Sequence, residues 1–266
     1  MPFLRVEGGR LWYEVAGDGP PVLLLHSTLV DSRQWDDQMA SFAGRFRTIR
    51  FDLRGFGRSD MPTESYRPLE DVAELLRSLD AAPAALVGAS AGGALSLLFA
   101  LEHPEMVSAL VLAASGAPGF TGWSEDLRAL WKATEAALEA GDLEGAQRLE
   151  LDYWVPPGRF GEGAGDSDRG IAEIARGNTR AAAEAEDFME GPDTEPLERL
   201  GEIRVPTLVV LAERDEPGIQ AIGGTVAAGV PGTEVVTIPG TDHLLNMRNP
   251  AEFDRMVMAF LARALP

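Results

Sequence analysis

The chain has 266 residues, 45% of them hydrophobic and 24% charged, which is the range of a folded globular protein that can bury a large core. It contains no cysteine, which excludes a thiol nucleophile, a thiolate zinc site, an iron–sulfur cluster and disulfides; three histidines, His26, His103 and His243, remain for base or ligand chemistry. With 23 Lys plus Arg against 42 Asp plus Glu, the net charge of −19 repels phosphate backbones and anionic membranes, so neither nucleic acid nor a membrane is an expected partner. The N-terminus lacks a basic start followed by an apolar run, and no apolar run approaches the ~20 residues that cross a bilayer. The expectation from these signs is a cytoplasmic protein.

In chain order, Leu4–Val6 and Leu11–Val15 flank Glu7-Gly8-Gly9-Arg10 and read as an antiparallel hairpin at the edge of a sheet. Six runs follow with the length and near-continuous hydrophobicity of strands buried on both faces: Val22–Leu25, Thr48–Phe51, Ala84–Val87, Ala109–Ala113, Thr207–Leu211 and Glu234–Ile238. Between them, Trp35–Phe42, Leu69–Leu79, Gly92–Leu101, Ile219–Val230 and Ala251–Leu265 place apolar residues at helical spacing. Such alternation predicts an α/β fold, a mostly parallel eight-stranded sheet with helices on both faces.

The rhythm breaks after Ser115-Gly116-Ala117-Pro118-Gly119 and resumes at Val205-Pro206. Residues 1–116 and 201–266 are therefore expected to form the core, and 117–200 an inserted helical lid. Within the insertion, Glu125–Ala140, Leu143–Tyr153 and Arg169–Asp187 read as helices, separated by a Gly- and Pro-rich stretch from Pro156 to Gly165. The insertion holds 19 acidic and 8 basic residues, more than half of the chain's charge excess. This reads most simply as a solvated face; the sharper alternative is a mild bias against anionic substrates.

Gly88-Ala89-Ser90-Ala91-Gly92 is a GxSxG pattern set between a buried strand and a helix. The pattern alone is weak, but this placement suits a nucleophilic serine on a tight turn, where larger residues at Gly88 or Gly92 would collide with backbone. A serine hydroxyl needs a base within hydrogen-bond reach. His103 lies at the far end of the helix that Ser90 opens, roughly 20 Å away, and His26 closes a strand whose exit shapes a backbone loop. His243, in the polar loop Gly240-Thr241-Asp242-His243, is the preferred base. The imidazole in turn needs an acid, and of the carboxylates after Leu211, Asp215 is preferred with Glu213 second. The order Ser90, Asp215, His243 leaves room for an insertion between the first two.

With these residues in view, the chain resembles an α/β-hydrolase fold serine hydrolase over essentially its whole length. Two further segments carry the resemblance: Asp52-Leu53-Arg54-Gly55-Phe56-Gly57-Arg58-Ser59-Asp60 is similar to the family's D-x-R-G-x-G-x-S segment, and His103-Pro104-Glu105 to its H-P-E helix end. The resemblance implies Ser90 as nucleophile, Asp215 as acid, His243 as base and the insertion as a cap over the pocket, with no cofactor and no metal. The family's oxyanion loop reads His-Gly; here it reads His26-Ser27-Thr28-Leu29. If that loop keeps its course, the backbone N–H groups of Thr28 and Ala91 form the oxyanion hole, and Ser27 either adds a hydroxyl donor or simply accepts the turn. Ser27 with Asp31 and Trp35 also resembles the 3-oxoadipate enol-lactonase branch.

The activity implied is hydrolysis of a small carboxylic ester or lactone through an acyl-enzyme. Carbon–carbon bond hydrolysis, hydroxynitrile lysis and perhydrolysis reuse the same three residues and stay open, as does a non-catalytic ligand receptor on the same scaffold. Asp52 and Arg54 are expected to hold their own loop together. Trp123, Trp131, Trp154 and Phe188 either line the pocket or form the core of the insertion.

Overall fold

The computed structural model describes residues 2–155, 166–186, 188–191 and 195–266. Eight strands, β1 (Phe3–Val6), β2 (Gly9–Ala16), β3 (Pro21–Leu25), β4 (Arg47–Phe51), β5 (Ala84–Ala89), β6 (Val107–Ala113), β7 (Thr207–Ala212) and β8 (Glu234–Ile238), form one sheet in the order β1-β2-β4-β3-β5-β6-β7-β8. The pairs β1–β2 and β2–β4 are antiparallel and all others parallel. The expected hairpin and the mostly parallel eight-stranded α/β sheet are what the chain forms.

Successive strand residues point to opposite faces, and the register aligns them across the sheet. Leu23 lies opposite Leu86, and Leu86 opposite Leu110. All three face the cluster that α2 (Pro68–Ser78), α3 (Ala91–Glu102) and α7 (Pro217–Gly229) close with Val72, Leu98 and Ile222. The alternate residues Leu24, Val87, Val111 and Leu208 face the cluster that α1 (Asp36–Phe42) and α9 (Pro250–Ala264) close with Phe42 and Phe253. Each of these fully buried side chains contributes roughly 1.5–3 kcal/mol, so the central strands need the continuous Val, Leu and Ile runs seen in the sequence.

β8 departs from the expected burial on both faces. Glu234, Val235 and Thr237 are exposed, and only Ile238 is fully inside. The reason is position: β8 pairs with β7 alone and is the sheet's edge.

Between β6 and β7 run α4 (Glu125–Glu139), α5 (Leu143–Trp154) and α6 (Asp166–Glu186). Ser124 caps α4 by accepting the Leu127 N–H (3.1 Å), and Asp142 caps α5 through the Gly145 N–H (2.9 Å). A small cluster of Val30, Val155, Ile171, Ile174 and Leu244 seats α6 and the end of α5 on the loops after β3 and β8. The expected Pro156–Gly165 spacer lies outside the described residues, as does Asp187 at the end of the third expected helix. A four-residue helix, α8 (Leu245–Arg248), was not evident in the sequence. Among the described residues no helix is long and apolar enough to cross a membrane.

Candidate active site

Ser90 stands alone between the last residue of β5 and the first of α3, with φ 51° and ψ −114°, a conformation that costs a non-glycine residue of the order of 1–3 kcal/mol. The surroundings hold it there. Its N–H donates to the Ala113 carbonyl of β6 (3.0 Å), and its own carbonyl accepts from Ala94 (3.0 Å) and Gly116 (3.1 Å). The flanking glycines are steric requirements: a Cβ on Gly88 would lie 2.2 Å from the Gly92 carbonyl oxygen, and one on Gly92 would lie 2.2 Å from the Leu25 carbonyl oxygen.

His243 leaves the loop after β8 and places Nε2 2.8 Å from Ser90 Oγ. Its Nδ1 lies 2.9 and 3.1 Å from the two carboxylate oxygens of Asp215, in the loop after β7. A carboxylate only accepts, so Nδ1 carries the hydrogen and Nε2 is left to accept from the serine hydroxyl. The His243 and Asp215 side chains are 5% and 1% exposed, so little water competes for these bonds. Asp215 Oδ1 also accepts the Glu216 N–H (2.8 Å). Glu213, the second choice of acid, instead accepts the Gly240 N–H (2.7 Å) and remains exposed.

The other two histidines are engaged elsewhere. His26 is fully buried: Nδ1–H donates to the Ser27 carbonyl (2.8 Å), while Nε2 accepts the Leu53 N–H (3.0 Å). Burial pushes its pKa below the usual imidazole value, against the pull of Asp52 and Asp31, and it links the loops after β3 and β4 as a neutral ring. His103 caps the far end of α3 and packs on Phe99 at 4.8 Å between centroids.

Ala91 is the first residue of α3, and Thr28 is exposed in the loop after β3. β3 is the neighbour of β5, with Leu25 opposite Gly88, so this loop and the serine turn leave the same rim side by side. Ser27 is buried; its N–H donates to Gln34 Oε1 (2.9 Å), and its hydroxyl has no hydrogen-bond partner among the described residues. Asp52 accepts the Ser32 and Arg58 N–H groups (both 2.9 Å), and Arg54 makes a buried bidentate pair with Asp71 (both 2.7 Å), so this segment is bound up in loop structure. Asp31 pairs with Arg33 (2.6 Å), and Trp35 is fully buried near Phe253, so the first is engaged in an ion pair and the second in the core.

Of the four aromatic residues singled out in the insertion, Trp154 alone stacks on His243, with centroids 4.3 Å apart. Trp123 contacts Phe120 and Trp131, and the Phe188 carbonyl accepts the Tyr66 N–H (3.0 Å). Three polar ties escaped the sequence reading. Asn246 on α8 bonds Gln34 and Gln38, carrying the support of the Ser27 loop across to the His243 loop. Glu216 caps α7 and accepts the Ser124 N–H (2.9 Å), docking α4 beside Asp215. Asn178 of α6 donates to Asp31 (3.1 Å) and accepts from the Gly57 N–H (3.1 Å). A polar amide amid the apolar positions of a helix was the signal for Asn178; the Glu-Pro pair opening α7 was the signal for Glu216. No group of three or more His, Asp or Glu side chains able to hold a metal exists among the described residues.

Comparison with known proteins agrees with this architecture. The sequence model of the alpha/beta hydrolase family matches residues 22–255. The 2-(acetamidomethylene)succinate hydrolase of Mesorhizobium japonicum is 30% identical over 264 residues, covering 92% of this chain and 90% of its own. Among solved structures, a hydrolase from Pseudomonas aeruginosa superposes with a TM-score of 0.81 at 29% identity, covering 98% of this chain and 97% of its own. Est816, described as an N-acyl homoserine lactone degrading enzyme, superposes with a TM-score of 0.79 at 26% identity, over 97% and 100% of the two chains. A serine on a strand-to-helix turn, at the rim of a sheet in this strand order and over a match of this length, means that the chain belongs to the alpha/beta hydrolase family.

Proposed function

We propose that the protein is a serine hydrolase of small carboxylic esters or lactones, working through an acyl-enzyme. The observation that carries the reading is the unbroken chain Ser90 Oγ, His243, Asp215, with contacts of 2.8 and 2.9 Å at a buried rim of the sheet. His243 Nε2 takes the serine proton as Oγ attacks the acyl carbon, while Asp215 holds the Nδ1–H tautomer and offsets the charge of the imidazolium. The backbone N–H groups of Thr28 and Ala91 receive the developing oxyanion, a contribution of roughly 3 to 4 kcal/mol per donor in comparable sites. The imidazolium returns its proton to the leaving alkoxide, and a water activated by the same His243 then releases the acid from Ser90.

Residues 117–200 act as a helical cap that closes over the acyl group, as supported by the seating of α5 and α6 on the loops flanking Ser90 and His243. The lactone side of the reading draws on the likeness to Est816. The deciding experiment is turnover of p-nitrophenyl acetate and of a graded set of acyl lactones by the wild-type chain and by Ser90→Ala. Loss of all turnover in the variant is expected; a variant as fast as wild type would remove Ser90 from the reaction.

A further inference from the structure

Trp154 ends α5 with its indole laid on the His243 ring, 4.3 Å between centroids and 36° between planes. The face of an aromatic ring attracts cations, and tryptophan does so most strongly. Under the serine hydrolase reading above, on which this inference rests, His243 becomes a cation each time Ser90 attacks. We propose that Trp154 is a positioning residue whose indole face stabilises the His243 imidazolium, so that the inserted helices assist proton transfer as well as covering the substrate.

The charges around His243 leave a role for such a surface. Asp215 occupies the Nδ1 side. The neighbouring Asp242 is bound to Arg248 of α8 at 2.9 Å, both side chains being buried, so its charge is already matched and the guanidinium opposes a second cation nearby. On α5, Glu150 and Tyr153 flank the indole. Glu150 is distinctive: every other acidic residue of the insertion with a described side chain is exposed, whereas Glu150 is half-buried. Its Oε2 accepts the Trp154 Nε1–H (2.9 Å) and its Oε1 accepts the Thr134 hydroxyl (2.9 Å), which together fix the rotation of the indole against the imidazole. The Tyr153 ring meets the indole edge-on, with centroids 5.1 Å apart.

The test uses an alkyl fluorophosphonate, whose phosphorus Ser90 attacks with loss of fluoride, so no knowledge of the natural substrate is needed. The second-order rate of Ser90 labelling is measured for the wild type, for Trp154→Phe and Trp154→Leu, and for chains carrying mono- to tetrafluorinated tryptophan at position 154 alone. Fluorine withdraws electron density from the ring face while nearly preserving its shape, so the labelling rate is expected to fall stepwise by about fivefold across the series. Trp154→Leu is expected to lose about tenfold, with Trp154→Phe between Leu and wild type. A flat fluorination series, even with a slow Leu variant, would reduce Trp154 to a steric cover and overturn the inference. A wild-type chain that takes no label at Ser90 would overturn the serine hydrolase reading itself, and this inference with it; a labelled wild type with a flat series overturns the inference alone. Unchanged melting temperatures across the fluorinated chains confirm that the rates report chemistry rather than folding.

Discussion

At Ser90 the backbone holds a conformation that the residue would not choose, and three hydrogen bonds together with two glycines enforce it. Gly92→Ala places a methyl group against the Leu25 carbonyl, backbone that cannot yield cheaply; loss of Ser90 labelling together with at least 2 kcal/mol of stability in urea unfolding is the expected result. Asp215→Asn keeps the shape but reverses the hydrogen-bond preference at Nδ1, and kcat for p-nitrophenyl acetate should fall by about 10⁴. His26 makes a separate contribution. Its pKa is lowered in the folded state, so the unfolded chain binds the proton first as pH drops. The stability associated with the neutral ring is therefore complete above the ordinary imidazole value of about 6.5 and declines as pH falls below it. Urea unfolding of wild type and His26→Asn between pH 7 and pH 5 should show the wild type losing more. Ser90 and His243 could be chosen from motif, loop position and chain order, because a strand-to-helix GxSxG and a polar loop after the last strand are local signals. The stacking of Trp154 could not, since nothing in Tyr153-Trp154 says which of several loops the end of α5 will meet.

At the level of elements, the loop that follows β3 and the loop that carries His243 are joined through side-chain amides: Ser27 N–H to Gln34, Gln34 to Asn246, Asn246 to Gln38, and Gln38 to Asp254 (2.7 Å). Gln34, Gln38 and Asn246 are buried, so each unmade bond costs about 1–3 kcal/mol. Asn246→Leu is expected to destabilise the fold by about 2–4 kcal/mol in urea unfolding, because it strands two amides at once. The Arg54–Asp71 pair ties the segment after β4 to α2, with both side chains 5% exposed. Asp71→Ala leaves a buried guanidinium without its counter-charge and should cost about 3–5 kcal/mol by the same measurement. Strands and helices were legible because hydrophobic periodicity is written in consecutive residues. The burial of β8 was misread because an edge strand and a central one can share a composition, and only the pairing order separates them.

Across the whole molecule, the two apolar clusters on either side of the sheet form one scaffold, and the insertion between β6 and β7 rests on it through Val30, Leu244, Glu216 and Asn178. Its acidic residues with described side chains mostly face water, and the insertion's acidic excess adds to a net charge of −19. Such self-repulsion is screened by salt, so the melting temperature should rise by a few degrees between about 10 mM and 150 mM sodium chloride; a fall over that range would show that surface repulsion is not the controlling charge effect. By itself the sequence determined what depends on neighbours along the chain: the alternation of strands and helices, the tight serine turn, and the sign of the surface charge. Tertiary structure decided what depends on approach in space. That Asp215, the carboxylate preferred from the sequence, closes to 2.9 Å from His243, that His26 is a buried tie, and that an indole from the insertion covers the imidazole all follow from how loops after β3, β5, β7 and β8 converge at one rim. Such convergence is set by sheet register and helix packing across long chain separations, which no local pattern of residues encodes.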